Sequence, residues 1–263
     1  MVADDGTGVW VYAVVGGGRY GDELPAGVAA ERVRTIEAAG LTAVVGTVGL
    51  DDFGEAALRR NLEDLDWLET TARTHDAVVG AVARTADTVP LRLATVCADD
   101  EQVRALLAES RRDFEAALRQ IAGRAEWGVR AIADTTAPPA PDVGTDAPGG
   151  AGARYLARRR AELSSRDDIE RALAAEAESV HTTLLRLAAM GRRQSPTAPA
   201  LAGTREWMPL NGTYLVDRDR AREFADAVAS LDRDHERLRL ELTGPWPPYS
   251  FTGIERDSGR ESP

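Results

Sequence analysis

Apolar residues in the first fifty positions predict strands separated by a short helix. Residues 9–15 (Val-Trp-Val-Tyr-Ala-Val-Val) form an apolar run rich in β-branched and aromatic side chains, which is typical of a buried strand. Leu41–Val48 has the same character and predicts a second strand. The intervening residues 28–39 contain Ala, Glu and Arg in a pattern that favours a helix, with Gly40 as the break before the second strand.

The next segment alternates between helical and extended patterns. From Leu62 to Val82 the apolar residues recur every three or four positions, which predicts a helix of about five turns. Residues 88–97 predict a third strand, and Pro90 fits near its start. Asp99 is expected to cap a following helix together with Gln102, in the arrangement of a capping box, and this helix extends to about residue 122.

The second half predicts the element order β-α-β-β-α-β, which is typical of a ferredoxin-like domain. Glu126–Ala133 predicts a strand, and Gly152–Ala189 a long helix. Asn211-Gly212 lies between two short β-prone runs and predicts a type I′ hairpin. A helix after Asp217 and a final strand over Leu238–Thr243 complete the order.

The fold class expected from these patterns is α+β, with two domains and an extended C-terminal strap. We place an N-terminal α+β domain at residues 1–122 and the ferredoxin-like domain at residues 123–255. A Pro- and Gly-rich stretch at about 134–150 is expected to be a flexible loop, and 191–203 a second loose segment. The polar residues 256–263 are expected to form a disordered tail.

Composition narrows the possible functions. The 263 residues carry a formal net charge of -11, and every basic residue is arginine. A net acidic surface is unsuited to nucleic acid, and the absence of lysine excludes Schiff-base and P-loop chemistry. Cys97 is the single cysteine, so no intramolecular disulfide is possible. With no signal-peptide pattern and no apolar run long enough to span a membrane, we expect a cytoplasmic protein without a membrane partner.

One segment matches a nucleotide-binding fingerprint and leaves an enzymatic alternative open. Gly16-Gly17-Gly18-Arg19-Tyr20-Gly21 fits G-x-G-x-x-G and follows a predicted strand. The mechanism requires a helix that begins at the third glycine, so that its amides meet a pyrophosphate. The residues that follow are acidic and include Pro25, which favours a loop without a ligand.

The sequence gives little support for a metal site, a nucleophilic serine or a pair of catalytic carboxylates. His75, His181, His235 and Cys97 lie on separate predicted elements, whereas a zinc site needs three or four converging ligands. No serine lies in a G-x-S-x-G elbow, and the carboxylates are dispersed among arginines. We therefore expect no catalytic residues, no metal, no cofactor and no small-molecule substrate. His75 is expected to lie at the edge of the core with its hydrogen bonds satisfied.

The segment Gly244–Phe251 (Gly-Pro-Trp-Pro-Pro-Tyr-Ser-Phe) is chemically unusual. Its three prolines stiffen the chain and remove backbone donors, while its aromatic side chains add a large apolar area. Such a segment either packs back over the protein as a strap or serves as an exposed peptide ligand in a generic interaction module. The pattern favours the strap.

The same segment resembles the C-terminal signature of the GvpF/GvpL family of gas vesicle proteins. Weaker similarities follow in the family's order: the opening strand, His75 followed by 89–96, the strand that begins Glu126-Trp127-Gly128, and 211–216. Leu93 and Ala94 depart from the family, which usually has an aromatic residue and a glycine there. The residues that carry the resemblance are His75, Pro90, Arg92, Glu126, Trp127, Gly128, Gly244, Pro245, Trp246, Pro247, Pro248, Tyr249 and Phe251.

The resemblance implies an accessory or minor structural component of gas vesicles. Members of the family are thought to bind the hydrophobic shell protein GvpA and other accessory Gvp proteins, and to limit aggregation during assembly. No catalytic residue or cofactor is associated with the family. The apolar opening strand is a candidate surface for the shell protein, with burial in the core as the alternative.

Overall fold

A computed structural model describes residues 6–17, 24–134, 151–194 and 206–253. The fold is α+β, with two β-sheets and flanking helices. By contacts, the chain divides into two compact units, Met1–Glu126 together with Pro245–Pro263, and Trp127–Gly244. The expected Pro-rich loop, most of the second loose segment and the polar tail lie outside the described residues. The boundary at residue 122 stays a prediction.

The sheet of the first unit is built around its opening strand. Its strand order is β2-β3-β1-β4, and β5 also pairs with β1. All of these pairings are antiparallel. The strands are β1 (Thr7–Gly16), β2 (Arg34–Ala38), β3 (Leu41–Gly49), β4 (Thr88–Pro90) and β5 (Val96–Cys97).

Both faces of β1 are buried. Val9, Val11 and Val14 lie in one core, whereas Trp10 and Tyr12 lie in the other. An irregularity in the β1–β3 register between residues 11 and 13 changes which face the later residues occupy. The all-apolar run is therefore explained by burial in the core, and it does not provide the exposed surface that we considered for the shell protein.

Helices cover each face of this sheet. The first three pack on the Trp10 face, and the last two pack on the Val9 face. Asp64 caps one of them by accepting hydrogen bonds from the amides of residues 66 and 67, so this helix begins later than its apolar pattern suggests. The helices are α1 (Leu50–Phe53), α2 (Glu55–Asn61), α3 (Leu65–Ala83), α4 (Asp100–Glu109) and α5 (Arg111–Ile121).

Three sequence predictions for this unit need correction. The helix predicted at 28–39 is wrong, because residues 24–33 form turns and extended chain and β2 follows. The strand predicted at 88–97 is two short strands separated by a turn. The helix predicted after Asp99 is interrupted at Ser110, although the Asp99 side chain does cap α4 by accepting from the Gln102 amide.

Ala94 lies in that turn with a φ of 63°. This left-handed conformation costs an L-residue about 1–2 kcal/mol relative to glycine. We expect Ala94→Gly to raise the free energy of unfolding by about 1 kcal/mol in urea titrations. Ala108→Gly is the control: residue 108 is exposed within α4, so the same change there should lower it by about 1 kcal/mol. Destabilisation by Ala94→Gly would contradict this account.

The second unit contains a sheet with the strand order β7-β8-β6-β9. A cluster of buried side chains from the strands and two helices forms its core, including Leu173, Val180, Leu184, Tyr214 and Phe224. Strand β7 pairs antiparallel with β8. The elements are β6 (Arg124–Asp134), α6 (Ala151–Leu185), β7 (Met190–Arg193), β8 (Glu206–Asp217), α7 (Ala221–Asp234) and β9 (Leu238–Trp246). The first three residues of β6 and the last two of β9 belong by contacts to the first unit.

The type I′ hairpin predicted at Asn211-Gly212 is wrong, since β8 runs through both residues without a turn. Gly212 is instead required for packing: a Cβ there would lie 2.8 Å from the Tyr214 hydroxyl oxygen. Asn211 donates to Gln194 Oε1 at 2.8 Å. The partner strand is β7, in a segment that we predicted to be loose.

Candidate functional site

The C-terminal signature folds onto the first unit through a buried carboxylate. Glu126, at the beginning of β6, is 7% exposed. It accepts a hydrogen bond from the Ser250 amide at 2.8 Å and another from the Ser250 hydroxyl at 2.6 Å. Two donors from one residue on a buried carboxylate form a strong, directional contact. The segment therefore packs back onto the protein, as the strap interpretation predicts.

The residues on either side of Ser250 make further contacts within this unit. Tyr249 packs against the Trp10 core, and its hydroxyl donates to Asp76 at 2.8 Å. Burial raises the pKa of Tyr249 most, and the hydrogen bond to Asp76 raises it further. The phenol therefore stays neutral and remains a donor. Phe251 is 1% exposed, and its carbonyl accepts from Gln120 at 2.7 Å.

The proline-rich part of the signature is more exposed. Trp246 has 55% of its surface exposed, and Pro245 is exposed as well, whereas Pro248 is buried. Gly244 has a φ of 112°, which L-residues rarely adopt, so the backbone needs glycine where the chain leaves the regular part of β9. The signature thus combines an anchored end, Tyr249–Phe251, with an exposed aromatic residue.

His75 is buried in the core at 2% exposure and is fully hydrogen-bonded. Its Nδ1 accepts from Trp10 Nε1 at 3.0 Å, and its Nε2 lies 3.1 Å from the Leu91 carbonyl oxygen. The two contacts together require the neutral tautomer with the proton on Nε2. Burial is the largest cause that lowers the pKa of His75. The expectation of a satisfied structural histidine is confirmed, although the residue lies within the core rather than at its edge.

The lowered pKa of His75 predicts a loss of stability in acid. An unfolded histidine titrates near pH 6.5, whereas the folded one binds its proton only at lower pH. Between these values the unfolded chain binds more protons, so the stabilisation is complete above about pH 6.5 and falls as the pH decreases towards the folded-state pKa. We expect the free energy of unfolding, measured in urea, to fall more between about pH 7.5 and about pH 5.5 in the wild type than in His75→Phe. Equal drops would contradict the assignment.

Gly128 lies where strand β6 passes very close to a side chain of the neighbouring strand. A Cβ at residue 128 would lie 2.6 Å from Thr243 Oγ1 on the neighbouring strand β9. We expect Gly128→Ala to lower the free energy of unfolding by about 1–3 kcal/mol, measured by urea denaturation. Thr243→Ala removes the opposing atom, so the double variant should be less destabilised than the sum of the single variants. Strict additivity would show that the two residues do not compete for space.

The remaining signature residues are separated in space and role. Pro90 is buried in β4 opposite Ala13, whereas Arg92 is exposed in the turn after it. Trp127 is 9% exposed and packs its ring against Phe224 with centroids 6.2 Å apart. Its indole nitrogen has no hydrogen-bond partner among the described residues.

Comparison with known proteins identifies the family. The family model of "Gas vesicle synthesis protein GvpL/GvpF" matches residues 8–253. The chain belongs to the GvpL/GvpF family. It is 40% identical over 238 residues to gas vesicle protein L of Streptomyces sp. (strain CB03234), covering 90% of this chain and 89% of the relative. It is 28% identical over 204 residues to gas vesicle protein F of the same strain, covering 72% and 80%.

The fold of this GvpL/GvpF chain is also found in a solved structure. The crystal structure of GvpF from Anabaena sp. PCC7120 aligns with a TM-score of 0.67 at 20% identity, covering 95% of this chain and 98% of that one. At this identity the likeness shows the α+β fold alone. The family resemblance inferred from the terminal signature is confirmed by the family model and the Streptomyces relative.

Two further features concern the described residues: groups of metal ligands and membrane-spanning helices. Across residues 6–17, 24–134, 151–194 and 206–253, no three His, Cys, Asp or Glu side chains are grouped so as to hold a metal ion. Most of the Gly16–Gly21 motif lies outside the described residues. No helix in the described ranges is long and apolar enough to cross a membrane.

Sequence reasoning missed three residues that hold the strap: Asp76, Gln120 and Ser250. Ser250 lies within the signature segment Gly244–Phe251, and its hydroxyl is the one side-chain donor between two aromatic residues. Asp76 directly follows His75, which carries the family resemblance, and this adjacency is the sequence signal that singles it out. Gln120 is an ordinary polar residue of an amphipathic helix, and nothing in its sequence context distinguishes it from its neighbours.

Proposed function

We propose that this protein is an accessory or minor structural component of gas vesicles. In this proposal it binds the shell protein GvpA and other accessory Gvp proteins in the cytoplasm, and it limits their aggregation during assembly. The observation that carries the proposal is the family match over residues 8–253. The greater identity to the Streptomyces protein L than to protein F of the same strain favours an L-type role.

The roles of the signature residues support a non-catalytic function. His75 is fully engaged in core hydrogen bonds, and Glu126 is engaged by Ser250. Gly128 provides space for a neighbouring strand. Each of these residues therefore has a structural reason to be present. The nucleotide alternative is disfavoured, because the described residues 24–33 after its glycine motif form no helix whose amides would meet a phosphate.

The binding surface requires exposed apolar side chains, and burial excludes β1. In the described part of the first unit, the large apolar residues that remain exposed are Leu62, Leu65 and Trp246, at 40%, 77% and 55%. Leu62 and Leu65 lie at the junction of α2 and α3. Apolar shell subunits associate through such surfaces, while a net charge of -11 keeps a complex soluble.

The test is co-expression of GvpA with this protein and measurement of the soluble fraction of GvpA. We expect the wild type to raise this fraction, and Leu62→Ser/Leu65→Ser to lose most of the effect. The matched control is Leu185→Ser/Met190→Ser in the second unit, where the original side chains are 39% and 38% exposed. An unrelated acidic protein of similar charge controls for nonspecific solubilisation, and equal performance by that protein would refute the proposal.

We also propose that the second unit is a ferredoxin-like domain. The support is its element order, β6-α6-β7-β8-α7-β9, together with the sheet order β7-β8-β6-β9, in which the first and third strands are central. Side chains of α6 and α7 pack with the strands in the core of this unit. An experimental structure of this unit, superposed on a ferredoxin-like domain, tests the assignment, and a different strand order or connection would contradict it.

A further inference from the structure

The strap contacts have the character of a bound peptide. Within three residues the chain presents a phenol, a backbone amide with a hydroxyl, and a buried phenyl ring. The Tyr249 phenol donates to Asp76 of α3, and Ser250 donates to Glu126 at the beginning of β6. The Phe251 carbonyl accepts from Gln120 of α5. The contacts of the strap therefore extend beyond its own turn to three separate elements.

We propose that the first unit carries a peptide-binding site for a Tyr-Ser-Phe segment, and that residues 249–251 of the same chain occupy this site in the native protein. The site is distinct from the surface proposed for the shell protein, and the inference does not depend on that function.

Glu126 determines the polar specificity of the site. A buried carboxylate without donors is unfavourable, so the site favours a residue that supplies a hydroxyl and a free amide together. Serine at position 250 supplies both. Proline at this position would lack the amide, and a carboxylate side chain would be repelled. Asp76 adds a preference for a neutral phenol one residue earlier, at Tyr249.

Apolar contacts determine the remaining specificity. Phe251 is almost completely buried, and the amide of Gln120 fixes its carbonyl. The short 3-10 turn over Tyr249–Phe251 presents the Tyr249 phenol to Asp76, the Ser250 hydroxyl to Glu126 and the Phe251 carbonyl to Gln120. The exposed Trp246 has no part in the recognition, which makes it an internal control.

The test uses full-length protein and a labelled heptapeptide with the sequence of residues 247–253. Phe251→Ala should weaken the occupancy of the site by the strap, because it removes the buried phenyl ring and leaves Glu126, Asp76 and Gln120 in place. We expect fluorescence anisotropy to show saturable peptide binding to this variant. Wild-type protein should show none, because its own strap competes at an effective concentration of about millimolar or above.

Specificity controls separate recognition from nonspecific adsorption. Adding Glu126→Gln to the Phe251→Ala variant should weaken peptide binding about tenfold, because a neutral amide replaces a carboxylate acceptor. A peptide with alanine in place of Ser250 should be weakened similarly. Trp246→Ala protein should behave like the wild type and bind no peptide.

If circular dichroism shows that Phe251→Ala is unfolded, the same titration is performed on Tyr249→Ala, which removes a less buried side chain. Saturable binding to either folded variant, weakened by Glu126→Gln, supports the site. Absence of binding to the folded variant, or binding that is unaffected by Glu126→Gln, overturns the proposal.

Discussion

His75→Ala is expected to lower the free energy of unfolding by about 3–5 kcal/mol, measured by urea denaturation at neutral pH. The side chain is 2% exposed, so its removal leaves a cavity within the aromatic core. It also leaves the Trp10 indole donor and the Leu91 carbonyl without a partner, and a buried orphan group costs about 1–3 kcal/mol.

Two further variants separate the causes of this effect. His75→Phe retains much of the volume and loses both hydrogen bonds, so it should recover the packing part of the loss. His235→Ala is the matched control, because this histidine is half-buried and contacts only the Leu231 carbonyl among the described polar groups. Its cost should be about 1 kcal/mol. Equal costs at positions 75 and 235 would contradict the core role of His75.

The patterns predicted most reliably were those where local preference and tertiary environment agree. The strand at 9–15 and the helix ending near Val82 are confirmed, because each has an apolar pattern that one sheet or one helix face can bury. The cap at Asp99 is confirmed for the same reason: a short acidic side chain before a helical run has a local partner, the Gln102 amide.

Predictions were wrong where a contact distant in sequence decides the conformation. Residues 34–38 contain good helix formers, yet they form β2 because β3 pairs with them and Asp100 binds Arg34 at 2.6 Å. The left-handed pair at the β2–β3 turn is Ala39-Gly40, with φ of 52° and 78°, rather than Asn211-Gly212. Gly212 and Tyr214 approach each other because both lie on one face of the continuous strand β8, two positions apart, where a hairpin was predicted.

The candidate site was predicted as a set of residues, but its connections were not. The signature includes Glu126 and Tyr249, and these residues are 123 positions apart in the chain. Nothing in their local sequence indicates that the first would accept from the residue next to the second. Their proximity depends on β6 and β9 being neighbouring strands, which is a property of the topology.

Within the strap, Phe251→Ala and Trp246→Ala are expected to differ sharply, although tryptophan is the larger residue. Phe251 is 1% exposed, so its truncation should lower the free energy of unfolding by about 3–5 kcal/mol. Trp246 is 55% exposed and loses little buried area, so its truncation should cost about 0.5 kcal/mol.

The comparison is made by urea denaturation of the full-length variants, monitored by circular dichroism so that loss of a tryptophan does not alter the signal. A large cost at Phe251 with a small cost at Trp246 means that the signature combines a structural anchor with a side chain that is free for other contacts. A large cost at Trp246 would mean that its exposed face is covered in the native protein. In that case the anchor would extend over the whole Pro-aromatic segment, and the strap would have no exposed aromatic residue to present.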